Sequence, residues 1–391
     1  MDLRPKFDAL VRQLAARFYE RDGVLRGVVL ALISRQHLLL LGPPGTAKSE
    51  LARAVTAAIG GARLYQVVLG RFTVPEELFG PVSLPALEQG RYERVTAGRL
   101  PEADLAFIDE WSKASPAVLN SLLAILNERL FANDGRLDAV PLWTAFLAST
   151  EMPEGDEARE LAALVDRVPL RHTVGYIRED ASFSRLLSRP LDPGGDLPDP
   201  VCLSLGDLAQ ARAESAQVEV PPAVAASLAD LRRALRQEGI IPSDRRWRWS
   251  VEILRAAAWL AGAPAIDLER DGDVLVDALW DTPEQRPAVV GVVRRVADPL
   301  RERLLQATEE AEEAAIPALE AHAAAVSGDA EARTKASKLA VEAHAKLRRL
   351  QGSLVGLQLP GSLEPQRAAS QGRVDELLRR LLADVLGVKP S

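Results

Sequence analysis

The chain has 391 residues, of which 47% are hydrophobic and 26% charged, and its formal net charge is −7. Such a length suits two or three domains of roughly 100–200 residues each, and the composition excludes both a disordered chain and a membrane span, since no apolar run approaches ~18 residues. The acidic balance argues against nucleic acid as the main partner, because phosphate backbones are bound chiefly by Lys and Arg.

In chain order, the opening MDLRPKFDAL lacks the apolar core of a secretory signal, so a cytoplasmic location is expected. Up to about residue 180, apolar runs at Leu38 to Leu41, Tyr65 to Leu69, Leu105 to Ile108 and Trp143 to Ala148 alternate with helical patterns. Runs of this kind read as strands buried on both faces, and their alternation with helices predicts a parallel α/β sheet.

The first strand leads into GPPGTAKSE, residues 42–50, and then into the amphipathic pattern KSELARAVTAAIGG, which stops at Gly60-Gly61. Strand, tight loop and helix form the setting of a phosphate-binding loop. Gly42 and Gly45 let successive N–H groups turn inward at a helix N-terminus, and Pro43 and Pro44 stiffen the cradle. Lys48 would neutralise β- and γ-phosphate charge, and Ser49 would offer its hydroxyl to Mg²⁺. With Thr46, Ala47 and Glu50 these residues make the expected ATP site. The usual motif has a glycine where Ala47 stands; helical dihedrals there would leave alanine unstrained.

A second half-site follows in LAFIDE, where a buried strand ends in Asp109 and Glu110. The C-terminal end of a parallel strand is where such sheets bind ligands. Asp109 is suited to hold Mg²⁺, and Glu110, facing elsewhere, to polarise the attacking water. Next, SPAVLNSLLAILNERLF reads as a helix capped by Ser115 with Pro116 in its first turn and an apolar face of Leu119, Leu122, Leu123, Leu126 and Leu130.

Between Ser188 and Pro200, SRPLDPGGDLPDP stops any regular element and marks the first domain boundary. Cys202, the single cysteine, cannot form an intrachain disulfide and fits a reducing compartment. Only helical patterns come after it: VAASLADLRRALRQEG, then WRWSVEILRAAAWLAG with Trp247, Val251, Leu254 and Ala258 at helical spacing. From Pro299 onward an Ala-, Glu- and Lys-rich stretch broken at Ser327-Gly328-Asp329 predicts a helical hairpin. VDELLRRLLADVLG, with Leu377, Leu378, Leu381, Leu382 and Val385, closes it into a three-helix bundle. The four histidines are dispersed without ligand spacing, the tryptophans read as packing, and the glutamates at 309–313 as a solvated face.

With GPPGTAKS, FIDE, GRFTVPEELFGPVSLPALEQGRYERVTAGRLPEADL, DEWSKASPAVLNSLLAILNERLF, LASTEMPEGD, LAALVDRVPLR and SDRRWRWSVEILRAAAWLAG, the chain resembles AAA+ ATPases of the MoxR family, nearest its RavA branch. The resemblance covers about residues 15 to 290. It implies a five-stranded AAA+ core over residues 1–188 with an insert near 70–100, a helical lid over 200–290, and assembly as a hexameric ring. Residues 299–391 form the C-terminal helical hairpin or bundle, and the short break at Ser327 leaves no room for the β-rich module of the RavA relative.

The same resemblance assigns Arg167, with Arg171 as alternate, to the arginine that reaches a neighbouring subunit's ATP. It assigns Arg245, or Arg246, to the lid arginine that meets the γ-phosphate. Positive charges crowding a helix N-terminus are unfavourable unless an anion lies nearby, and triphosphate is the expected anion. Thr150 stands where relatives carry a water-orienting asparagine, which implies slow hydrolysis. The activity implied is Mg²⁺-dependent ATP hydrolysis that remodels a partner protein, with a von Willebrand factor A domain protein as adaptor. A rarely hydrolysing, nucleotide-gated scaffold and a metal-chelatase motor subunit are the competing expectations.

Overall fold

The computed structural model describes residues 2–153, 155–188, 203–325, 330–358 and 363–387. The expected boundary at 189–200, Cys202 and the break at Ser327–Asp329 lie outside these. The chain forms two compact units, Met1–Val293 and Arg294–Ser391.

The first unit opens with two helices, α1 (Arg4–Ala15) and α2 (Asp22–Ser34), before the strand β1 (Leu38–Leu41). Helix α2 is apolar nearly all round, DGVLRGVVLALIS, and is correspondingly buried. Helix α3 (Lys48–Ala57), the short β2 (Ile59–Gly60), β3 (Leu64–Val68), α4 (Pro75–Phe79), α5 (Leu84–Glu88) and β4 (Leu105–Asp109) follow. Then come α6 (Pro116–Glu128), β5 (Leu130–Asn133), β6 (Arg136–Ala139), β7 (Thr144–Ser149), α7 (Gly155–Val165), β8 (Leu170–Thr173) and α8 (Asp180–Ser188).

The main sheet has five strands in the order β3-β4-β7-β1-β8, all parallel. The fifth, β8, was not among the apolar runs of the sequence: it carries Arg171 and His172 in a buried strand. Helix α6 buries Val118, Leu119, Leu122, Ile125 and Leu126, but it stops at Glu128 because Arg129 adopts φ 57. Leu130 therefore belongs not to the helical face but to β5, which pairs with β6 in an antiparallel hairpin around Asp134 and Gly135. The 70–100 insert packs on this hairpin. Asn133 and Asp134 side chains accept from the Arg94 and Tyr92 amides at 2.8 and 2.7 Å, and Phe79 stacks on Phe131 at 5.5 Å.

Beyond the sheet are β9 (Leu203–Ser204), α9 (Leu205–Ser215), α10 (Pro222–Gln237), α11 (Asp244–Leu260), α12 (Leu268–Asp271) and α13 (Arg286–Ala297). Strand β9 pairs with β2, Ser204 caps α9 in a capping box with Asp207, and Lys6 of α1 pairs with Asp207 at 3.0 Å. Helix α11 packs on α2, with Trp259 edge-on to Phe7 at 5.7 Å. Its most buried stripe is Arg246, Ser250, Ile253, Leu254 and Ala257, leaving Trp247 and Val251 half-exposed. Among the described residues no helix is long and apolar enough to cross a membrane.

The second unit contains α14 (Pro299–Ala325), α15 (Ala330–Gly356) and α16 (Glu364–Arg380), the last prolonged by a π-helical turn over Leu381–Val385. Alanines 307, 311, 315 and 318 of α14 meet Ala340 and Ala343 of α15, and Leu377, Leu378 and Leu381 fill the third side. The small facing residues let the two long helices approach closely. Glu312, from the acidic run, pairs with Arg373 at 2.7 Å.

Two buried histidines couple the first unit's stability to pH. His37 accepts from the Ala145 amide at Nδ1 (3.0 Å) and its Nε2 lies 2.8 Å from the Leu126 carbonyl. His172 fills the space over Gly27, where a Cβ would lie 2.0 Å from Nε2. Burial depresses both pKa values below 6.5, aided at His37 by the charge of Arg129 and opposed at His172 by Asp277. As pH falls below 6.5 the unfolded chain therefore takes up protons that the folded chain refuses. Stability should fall by up to about 1.4 kcal/mol per pH unit per histidine until the folded pKa is reached, with no contribution above pH 7. Urea unfolding at pH 7.5 and 5.5 checks this, and an unchanged midpoint would refute it.

Candidate nucleotide site

The register of the sheet brings three strand ends together. Asp109 of β4 lies across from Ala148 of β7, and Ser149 of β7 across from Leu41 of β1. Residues leaving these ends, Glu110, Thr150 and the 42–47 loop, therefore emerge side by side. Gly42 is wedged into the sheet edge: its N–H donates to the Ser149 carbonyl at 3.0 Å, and a Cβ on it would lie 1.9 Å from the Val174 carbonyl oxygen. No residue but glycine fits there.

The loop then passes through Gly45 at φ 78 and Ala47 at φ 63, ψ 25. Ala47 thus lacks the helical dihedrals that would have left alanine unstrained. The residue sits in the left-handed region, where alanine costs about 1 kcal/mol relative to glycine. The conformation is held because Ala47 caps α3, its carbonyl accepting from the Leu51 amide at 2.9 Å. Residues in alternating hands turn neighbouring N–H groups to one side, the geometry of an anion nest.

Lys48 is buried at the head of α3 and donates to the Gly42 and Pro43 carbonyls at 2.6 and 3.0 Å. Burial lowers its pKa, and the Asp109 and Glu110 carboxylates oppose that shift. Burial in turn raises the pKa of Asp109, despite a 3.0 Å hydrogen bond from the Glu110 amide and the nearby Lys48 charge. Ser49 stands half-buried in the same first turn as Lys48. Hydroxyl and carboxylate form a hard, all-oxygen donor set that fits Mg²⁺ rather than a softer transition metal.

Glu110 has φ 50, ψ 37, a left-handed conformation that costs a non-glycine residue about 1 kcal/mol. Its Oε2 pairs with Lys113 at 3.0 Å but is not aligned for a hydrogen bond. Strain of this kind gathers at working sites, and it swings Glu110 off the line of β4 that Asp109 continues. Beside it Ser149 donates to the Glu151 carbonyl at 2.8 Å and meets Ser112 at 3.3 Å, fixing the turn that carries Thr150.

On the other side of the loop a cleft of about 340 Å³ is lined by Phe18, Tyr19, Thr46, Tyr176 and Phe183 among others. Sequence reasoning missed it. Its two walls come from residues 17–21 and 175–186, and they are tied together. Glu20 accepts from the Arg178 and Glu179 amides at 2.9 and 3.0 Å, Arg21 donates to the Gly175 carbonyl at 2.5 Å, and Arg185 lies over the Tyr19 ring at 4.5 Å. The Tyr176 hydroxyl donates to the Pro44 carbonyl at 3.3 Å. Glu50, placed with the nucleotide by sequence, accepts from Arg17 Nη2 and Nε at 2.6 and 2.8 Å, and Arg17 also lines the cleft. The only local hint was the aromatic and basic cluster RFYERD between two helices.

The remaining arginines form a separate cluster. Arg171 is fully buried and donates to the Val165 and Val168 carbonyls, to Trp280 O and to Asp281 at 3.2 Å. Burial, with Arg246 beside it, lowers its pKa to about 9. Arg246 is buried against Asp281 at 2.6 Å. Burial alone would raise the Asp281 pKa, but these two arginines outweigh it and the net shift is downward. Arg171 and Arg246 are thus held inside the protein. Arg245 and Arg167 remain at the surface: Arg245 lies 3.6 Å from Asp166 and over the Trp249 ring, and Arg167 donates to the Ala163 carbonyl at 2.5 Å. Within the chain, Asp166 and Asp281 supply carboxylates that offset the charges at the start of α11.

A glycine-rich loop between β1 and α3, paired carboxylates ending β4, and a parallel sheet of order β3-β4-β7-β1-β8 define a P-loop nucleotide-binding protein of the AAA+ class. Two family models match: the MoxR domain of MoxR-vWA-beta-propeller ternary systems over residues 5–190, and an AAA lid domain over residues 223–293. The chain belongs to the MoxR family of AAA+ ATPases. It is 35% identical over 274 residues to an uncharacterised protein, MJ0812, of Methanocaldococcus jannaschii, covering 70% of this chain and 71% of that one. Chaperone MoxR1 of Mycobacterium tuberculosis is 28% identical over 157 residues, 40% of this chain and 41% of that protein. A solved structure assigned as an ATPase from Cytophaga hutchinsonii shares the fold with a TM-score of 0.60 at 15% identity, over 74% of this chain and 94% of that one.

Proposed function

We propose that this chain is the ATP-hydrolysing subunit of a six-membered ring that remodels a partner protein through a von Willebrand factor A domain adaptor. The observation that carries this reading is the convergence of Lys48, Asp109 and Glu110 around a loop whose first glycine admits no side chain. The family model, described from systems that pair MoxR with vWA, supports the adaptor, and the chaperone name of the mycobacterial relative supports remodelling.

In this reading the 42–49 loop holds the phosphates, Ser49 and Asp109 hold Mg²⁺, and the cleft between Tyr19 and Tyr176 takes the base and ribose. Bound Mg²⁺ neutralises charge on the phosphates. Glu110 orients and polarises water, and Thr150 offers it a hydroxyl from the next strand end. Arg167 and Arg245 do not line the cleft, and both adjoin Asp166. We assign both to the nucleotide of a neighbouring protomer.

The direct test is calorimetric titration with ATP and Mg²⁺. Lys48→Ala removes the charge that faces the phosphates, and affinity should fall at least ~100-fold, about 2.7 kcal/mol. A dissociation constant near that of the parent would sink the reading.

A further inference from the structure

Asp166 occupies a junction that the nucleotide site does not explain. It follows α7 directly, its amide donating to the Ala162 carbonyl at 2.9 Å, and it precedes Arg167, whose amide donates to Leu164 at 2.9 Å. Its carboxylate is therefore mounted on the last turn of a helix. Oδ1 accepts from the Ser243 hydroxyl at 2.6 Å, and Ser243 is the N-cap of α11, its Oγ accepting from the Arg246 amide at 3.1 Å. The same carboxylate stands 3.6 Å from both Arg245 and Arg246.

Arg245 and Arg167 bear like charges that oppose one another, and Asp166 is the anion next to both. Without it the two guanidinium groups would be driven apart, and α11 would lose both a cap partner and an ion pair. We propose that Asp166 is a positioning residue that holds Arg167 and Arg245 in one fixed arrangement, so that the start of α11 and the arginine pair move together. This rests on the reading that the pair acts on a neighbour's nucleotide. Its consequence is mechanical: a change at that nucleotide, felt by the arginines, is passed to α11 of the protomer that owns them.

Asp166→Asn keeps an acceptor for Ser243 but removes the charge, whereas Asp166→Glu keeps the charge. In full-length protein assembled with Mg²⁺ and ATP, Asp166→Asn should lower kcat about tenfold with KM unchanged, and Asp166→Glu should restore most of it. In an Arg245→Ala background the same Asn substitution should add less than about twofold, because the repulsion it exposes has gone. Unchanged kcat in Asp166→Asn, or fully additive losses in the double variant, would overturn the proposal. Hydrogen exchange tests it without turnover: the Arg246 and Trp247 amides, which open α11, should exchange roughly tenfold faster in Asp166→Asn. Equal protection there overturns the proposal even if the arginines prove to act on nucleotide. Conversely, faster exchange alongside an Arg167→Ala protein that turns over like the parent would uphold the tether and remove only the reading beneath it.

Discussion

Glu110→Gln should retain ATP and lose hydrolysis, with kcat lowered by ~10²–10⁴ and affinity changed by less than about threefold. The substitution is nearly isosteric and leaves the backbone at φ 50 no worse off than before, since glutamine and glutamate carry the same Cβ. The pair with Lys113 is lost, but Lys113 is more than half exposed and such pairs are worth about 0–1 kcal/mol. Folding is therefore preserved. What disappears is the carboxylate's ability to accept a proton from water, together with one of the two negative charges that face Lys48. The second loss leaves Lys48 freer to meet phosphate, so binding should hold or tighten. Single-turnover hydrolysis and equilibrium binding on the same protein separate the two effects. Parental turnover would remove Glu110 from the chemistry and leave Asp109 alone at the strand end.

The main sheet and the phosphate loop could be read from the sequence because their signals are local. Buried parallel strands read as apolar runs, and a loop that must approach an anion needs glycine. Strand β8 escaped for the opposite reason. Arg171 and His172 are polar residues in a buried strand, and what satisfies them lies about a hundred positions away, at Trp280, Asp281 and Asp277. No window of sequence contains that compensation. The β5–β6 hairpin did carry a local sign, Asp134-Gly135, both at positive φ as a tight hairpin turn requires, but the leucine spacing of α6 drew attention through it to Leu130.

The arginines show how a sound local argument can overlook partners within the chain. Positive charge at the start of α11 does need an anion. Sequence offered triphosphate, because the carboxylates that supply it, Asp166 and Asp281, stand 77 and 35 residues from Ser243 and Arg246 respectively. Ala47 misled in a smaller way. Its neighbours on the C-terminal side are helical, but the residue that caps a helix need not share its dihedrals, and here it holds the hand that glycine holds elsewhere. The cleft wall at residues 17–21 was invisible because its meaning depends on a contact with residues 175–186.

Arg167→Ala should bind ATP like the parent yet lose ~10³-fold or more in turnover once the ring has assembled, a loss of at least about 4 kcal/mol of transition-state stabilisation. Arg167 is suited to this work where Arg171 is not. Arg171 is fully buried and holds four acceptors, so withdrawing it would break four hydrogen bonds at once and leave Asp281 to Arg246 alone. Arg167 is partly exposed, and among the described residues its one hydrogen-bonded acceptor is the Ala163 carbonyl of the preceding helix α7, which can be exchanged for a phosphate oxygen at little cost. Arg245 stands beside it, so the incoming anion would meet two guanidinium groups whose mutual repulsion it relieves. Mixing tests whether this happens across an interface. Arg167→Ala protomers keep an intact loop, and Lys48→Ala protomers keep an intact arginine, so each is inactive alone. In an equal mixture about one quarter of sites join an intact loop to an intact arginine, and turnover should return to about that fraction of the parent's, as a head-to-tail ring requires. A mixture as inactive as its components would place Arg167 in its own protomer's site.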